Sequence, residues 1–119
     1  MNAENSRKLQ EAFPNLYPAI DPLSPADCKW SFQFDVGDGW FQLLFELSEK
    51  LEVEIVILIE EGRPQEDLPS VQQIKEKYGE LCFYASGTDK MQKDIAIAEK
   101  KSLTICELCG KPGKPNWDD

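Results

Sequence analysis

Two hydrophobic periods alternate along this chain, and each change of period marks a predicted element. Leu9, Ala12, Phe13 and Leu16 recur at helical spacing, which predicts an amphipathic helix over 4–13 that Pro14 stops near Phe13. Three prolines make 18–28 a loop. Trp30, Phe32, Phe34 and Val36 then alternate with Ser31, Gln33 and Asp35, the pattern of a half-buried strand. Gly37-Asp38-Gly39 is a turn from this strand into a helix, with Asp38 as the expected N-cap. Trp40, Phe41, Leu43, Leu44, Phe45, Leu47 and Leu51 give that helix a wide apolar stripe, opposite Gln42, Glu46 and Glu49.

The period then shortens. Val53, Ile55, Ile57 and Ile59 fall on one side of an extended segment and Val56 and Leu58 on the other, which predicts a central strand with two apolar faces. Residues 60–69 form a charged loop. Val71, Ile74 and Tyr78 fit a helix over 70–79 ending at Gly79, with one arm of a hairpin turning near Gly79 as the alternative. Leu81, Phe83 and Ala85 mark another strand. Thr88 is the expected cap of a helix over 89–101 whose inner face carries Met91, Ile95 and Ala98. Leu103 and Ile105 lead into the turn Cys106-Glu-Leu-Cys109-Gly110, and an irregular tail follows.

This succession predicts an α+β fold, a small and mainly antiparallel sheet of three to four strands packed against helices. The expected division is one domain over 1–105 and an irregular tail over 106–119 that carries the cysteine turn. A chain of 119 residues is long enough to bury roughly two-thirds of its unfolded surface without disulfides. No stretch approaches the ~20 apolar residues of a membrane span. The first ten residues lack the apolar run of a signal peptide. A cytoplasmic protein with reduced cysteines is therefore expected.

Charge sharpens the picture. The net charge is −9, and eleven of the 22 acidic residues but only four of the 13 basic ones lie in 1–60. That half carries −7 and the remainder −2. Such a surface repels nucleic-acid phosphates and attracts a basic partner.

The chemistry-bearing residues are few. Two thiolates separated by two residues, with a glycine after them, can both face one tetrahedral metal ion. The ten residues after Cys109 contain no Cys or His, and the chain has no histidine at all. Further ligands within the chain would have to be Cys28 and Cys82. No cofactor is required by the sequence, and zinc is the candidate metal at Cys106 and Cys109. A redox pair would open a helix, which Gly110-Lys-Pro-Gly-Lys-Pro prevents. Without histidine there is no Ser-His or Cys-His nucleophile pair. Adjacent carboxylates at Glu60-Glu61, Glu66-Asp67 and Asp118-Asp119 sit in charged or terminal segments, where solvation explains them. No enzyme is expected.

The runs Gly37-Asp-Gly-Trp-Phe-Gln-Leu-Leu-Phe-Glu-Leu-Ser-Glu-Lys-Leu51, Gln73-Ile-Lys-Glu-Lys-Tyr-Gly-Glu-Leu-Cys-Phe-Tyr84, Ala96-Ile-Ala-Glu and Thr104-Ile-Cys-Glu-Leu-Cys-Gly-Lys-Pro-Gly113 resemble a group of small uncharacterised bacterial and phage proteins. That group's pattern is a Gly-Asp-Gly-Trp turn, a Gln-Val-Lys-Glu-Lys-Phe-Gly-x-Leu-Arg-Phe-Tyr segment and a terminal cysteine ribbon. The resemblance implies an origin and an architecture. It also implies a second Cys/His pair completing the ribbon, which this chain lacks, and Cys82 stands where the group has arginine.

Together these features predict a non-enzymatic acidic protein that binds and inhibits a basic protein partner. The expected role is an immunity protein against a toxin, or a phage inhibitor of a host defence complex that handles nucleic acid. Direct contact with nucleic acid or membrane is not expected. Asp35, Asp38, Glu46, Glu49, Glu52 and Glu54 are the candidate partner-binding residues. The alternative is a zinc-stabilised adaptor using Cys106 and Cys109.

Overall fold

A computed structural model describes residues 1–17, 34–108 and 110. The expected loop over 18–28 and the first half of the expected strand, with Trp30 and Phe32, lie outside them, as do Cys28, Cys109 and residues 111–119. Among the described residues, three helices pack with a three-stranded sheet: α1 (Ala3–Ala12), β1 (Phe34–Asp35), α2 (Phe41–Glu60), β2 (Val71–Lys77), β3 (Glu80–Ala85) and α3 (Asp89–Ser102). Short 3₁₀ turns precede α2 and β2. The sheet order is β1-β2-β3, with β1 parallel and β3 antiparallel to β2. The α+β class holds.

α2 overturns the strand expected over 53–59. It runs unbroken from Phe41 to Glu60. No glycine or proline interrupts residues 41–61. Leu44, Leu47, Ser48, Leu51, Ile55 and Leu58 form one buried stripe at helical spacing, so continuing the helix buries Leu51, Ile55 and Leu58 together. The penalty for β-branched residues in a helix is a few tenths of a kcal/mol each, small against ~1.5–3 kcal/mol for each large apolar side chain buried. The helix stops at Gly62, where Gly62 N–H and Arg63 N–H donate to the carbonyls of Ile59 and Leu58 at 3.0 and 3.1 Å.

Residues 70–79 are likewise a strand and turn, so the expected helix is corrected. The misleading spacing has a structural cause. A bulge between Val71 and Gln73 shifts the register, so Val71 and Ile74, three apart, both face the core. That offset imitates a helical period. Tyr78, the third member of the apparent stripe, sits exposed in the two-residue turn. There Tyr78 and Gly79 both adopt positive φ, at 55° and 81°, the geometry of a type I′ hairpin. Lys77 and Glu80 pair across it.

The outer edge of β3 is closed by α3. Leu81 and Phe83 are buried, and their N–H groups point away from β2. Ser102 Oγ accepts from Leu81 N–H at 2.9 Å and Glu99 Oε2 from Phe83 N–H at 3.0 Å. Gln92 Nε2 donates to Ala85 O at 2.9 Å. Side chains from one helix thus satisfy an edge that would otherwise invite another strand. Thr88 caps α3 as expected, accepting from Met91 N–H at 3.2 Å, and Met91, Ile95 and Ala98 are buried.

The core lies between the sheet and the helices, around Trp40, Leu44, Leu51, Ile55, Ile74, Leu81 and Met91, all fully buried. Leu9, Phe13 and Leu16 join it from α1 and the turn after it, whereas Ala12, expected on the same face, is exposed. Phe13 meets Phe45 edge-on at 4.9 Å, and Tyr17 meets Phe34 at 5.0 Å. Tyr17 Oη and Ser48 Oγ share a buried hydrogen bond of 2.6 Å. Burial pushes the Tyr17 phenol well above its ordinary range. The Ser48 bond opposes that shift and the Glu52 charge adds to it.

Candidate functional site

The two motifs singled out in the sequence, 70 residues apart, meet in space. Gly39 N–H donates to Glu107 O at 2.6 Å and Gly37 N–H to Glu107 Oε2 at 3.0 Å. The Trp40 indole N–H donates to Ile105 O at 3.0 Å. The cysteine turn is closed by Gly110 N–H donating to Cys106 O at 2.8 Å. Close approach explains the glycines. A Cβ on Gly39 would stand 2.2 Å from Cys106 O and 2.5 Å from both Glu107 O and Gly110 N. One on Gly37 would stand 2.4 Å from Glu107 O. Only hydrogen fits at either position. The Gly37–Trp40 turn therefore acts as a dock for the chain around Cys106 and Glu107. No local signal in the sequence marks Glu107 for this role.

Asp38 does not cap α2, which has no side-chain cap. Its carboxylate faces the start of α1, accepting from Asn2 N–H at 2.8 Å, Asn2 Nδ2 at 3.2 Å and Asn5 Nδ2 at 3.3 Å. The Asn2 backbone hydrogen bond is the largest influence holding this carboxyl below its ordinary pKa. Glu52 performs the matching task at the other end of α1. Its Oε1 accepts from Asn15 N–H and Leu16 N–H at 3.0 and 3.1 Å. The two acids clamp α1 at both ends.

The remaining candidates divide differently. Glu54 accepts an ion-paired hydrogen bond from Lys90 at 2.6 Å, and that bond raises the Lys90 pKa. Glu46 stands 3.9 Å from Lys101, with both side chains exposed. Glu49 is exposed on the same side of α2 as Glu46, and Asp35 is exposed on β1. The six acids thus differ in what they hold. Asp38, Glu52 and Glu54 hold neighbouring elements, while Glu46 and Glu49 present carboxylates outward from one helix face.

Cys106 is partly buried in the docked turn. Among the described residues, no group of three or more Cys, Asp or Glu converges as a metal-ligand set. Cys82 lies on the sheet face away from the core, beside Tyr84 and Lys75, and the Lys75 ammonium sits 5.6 Å from the Tyr84 ring. The Cys82 charge pushes the Tyr84 phenol up. Glu61 and Asp67 line a surface groove together with Arg63. Among the described residues, no helix is long and apolar enough to cross a membrane. No family model, curated protein or solved structure matches the chain.

Proposed function

We propose that this chain is a non-enzymatic, cytoplasmic inhibitor that binds a basic protein. In this reading it is an immunity protein against a toxin, or a phage protein that blocks a nucleic-acid-handling defence complex, consistent with its resemblance to small bacterial and phage proteins. The observation that carries the reading is the placement of charge. Five acidic residues and a single lysine lie on α2, and Glu46 and Glu49 stand on its exposed side. Proteins that handle nucleic acid are basic where they hold phosphates. An acidic face can occupy that surface and gain association rate through long-range attraction.

Capture of partners from a bacterial host lysate, read by mass spectrometry, tests this. Wild-type protein should retain a basic protein, and Glu46→Lys with Glu49→Lys should weaken retention. Capture that persists unchanged in the double variant, and from roughly 50 to 500 mM salt, would sink the reading.

A further inference from the structure

Five of the eight large apolar side chains that the described residues leave exposed belong to one helical layer: Val53, Val56, Ile57 and Ile59 on α2, and Ile97 on α3. Val53 and Ile97 are 58% and 60% exposed. Solvent-facing helix positions favour straight-chain polar residues, so β-branched apolar ones there lose both helix propensity and solvation. Val53, Val56 and Ile57 stand at i, i+3 and i+4, a continuous stripe on the side of α2 opposite the buried one. Ile97 belongs to the stripe of α3 that also carries Lys90 and Lys101, whose ammonium groups reach Glu54 and Glu46 of α2.

The same α2 stripe ends in carboxylates. Glu49 lies one turn before Val53, and Glu60 one turn after Val56 and Ile57, and both are exposed. Eleven residue steps of helix separate them, about 16 Å along the axis. An apolar centre bounded by two anions complements an apolar segment bounded by two cations. A second copy of this chain is a poor match. Laid antiparallel, α2 would set Glu49 against Glu60 of the other copy, with Lys50 the one cation of the helix to offset part of that repulsion, and laid parallel it would set each acid against itself.

We propose that this face of α2 is the docking surface for a basic amphipathic helix of the partner, with apolar residues at i, i+3 and i+4 and a lysine or arginine about one turn beyond each end. This rests on the reading of the protein as an acidic inhibitor and names the surface it uses. The covering helix would bury Val53, Val56 and Ile57, and its cations would face Glu49 and Glu60.

The test uses a labelled 18-residue leucine–lysine peptide with leucines on one helical stripe and lysines flanking it, and the same peptide with glutamate in place of lysine. Fluorescence anisotropy with the full chain should show saturable binding of the lysine peptide only. Val53→Gln with Ile57→Gln should weaken it at least tenfold, as should Glu49→Lys with Glu60→Lys, with no fall in melting temperature. Equal binding of the glutamate peptide, unchanged affinity in the glutamine variant, or no saturable binding at all would each overturn the proposal. So would a wild-type dimer in sedimentation that Val53→Gln with Ile57→Gln converts to monomer, since a second copy would then cover the face. In lysate capture, a partner lost on charge reversal at Glu46 and Glu49 but kept by the glutamine variant refutes this surface and leaves the inhibitor reading standing.

Discussion

Replacing Gly39 with alanine should undo the junction between the Gly37–Trp40 turn and the chain around Cys106. The added Cβ meets three backbone atoms at 2.2 to 2.5 Å, none of which can move without shifting the turn that holds it. Three hydrogen bonds depend on the junction, from Gly39 N–H, Gly37 N–H and the Trp40 indole. At roughly 1 kcal/mol each, and more for the one to a carboxylate, their loss removes on the order of 3–5 kcal/mol. Domains of this length are stable by about 6–18 kcal/mol at ~0.05–0.15 kcal/mol per residue, so the change is a large fraction of the total. Urea unfolding is the assay. With a slope of about 2 kcal/mol/M, the midpoint should fall by roughly 2 M. Gly62→Ala supplies the comparison, because Gly62 has a φ of +89° and a Cβ there would meet nothing within 4 Å. That variant should cost only about 1–2 kcal/mol, the penalty for a left-handed residue. If Gly39→Ala were no more destabilising than Gly62→Ala, close packing of the two turns could not be what holds the junction.

Other outcomes follow from the same contacts. Tyr17→Phe leaves Ser48 Oγ buried without its 2.6 Å partner and should cost about 1–3 kcal/mol in chemical denaturation, while adding Ser48→Ala should recover part of the loss. The depressed Asp38 carboxyl stabilises the fold above its ordinary unfolded pKa, and that contribution is lost as pH falls through the lower folded value. The melting temperature of Asp38→Asn should therefore vary less than that of wild type as acid is added below about pH 4. Ser102→Ala with Glu99→Ala uncovers the amides of Leu81 and Phe83 and should raise the rate of aggregation on mild heating, measured by light scattering. Metal analysis of protein purified without chelator tests Cys106 and Cys109 as zinc ligands. Stoichiometric zinc, with melting lowered by Cys106→Ser, supports the adaptor alternative, and substoichiometric zinc with unchanged melting refutes it.

Short-range pattern and composition suffice for part of this molecule. Thr88 and the Met91, Ile95, Ala98 spacing specify α3, because a cap and an inner face are contained within one helix. The apolar stripe from Trp40 to Leu51 specifies the first half of α2, and Leu81 and Phe83 specify β3. The lack of histidine and the −9 charge narrow the chemistry without any structure. The remainder depends on long-range packing. Residues 53–59 are apolar on every side, so either period fits them locally, and burial of Ile55 and Leu58 beside Leu51 settles them as helix. Val71 and Ile74 mimic a helix because a bulge against β3 shifts one strand by a residue, and a bulge exists only in a pair. Asp38 holds Asn2, Glu52 holds Leu16, and Glu107 holds Gly37, across separations of 36 to 70 residues. Such bonds leave no periodic trace, since the partners are chosen by where the packed core brings the chain back to itself.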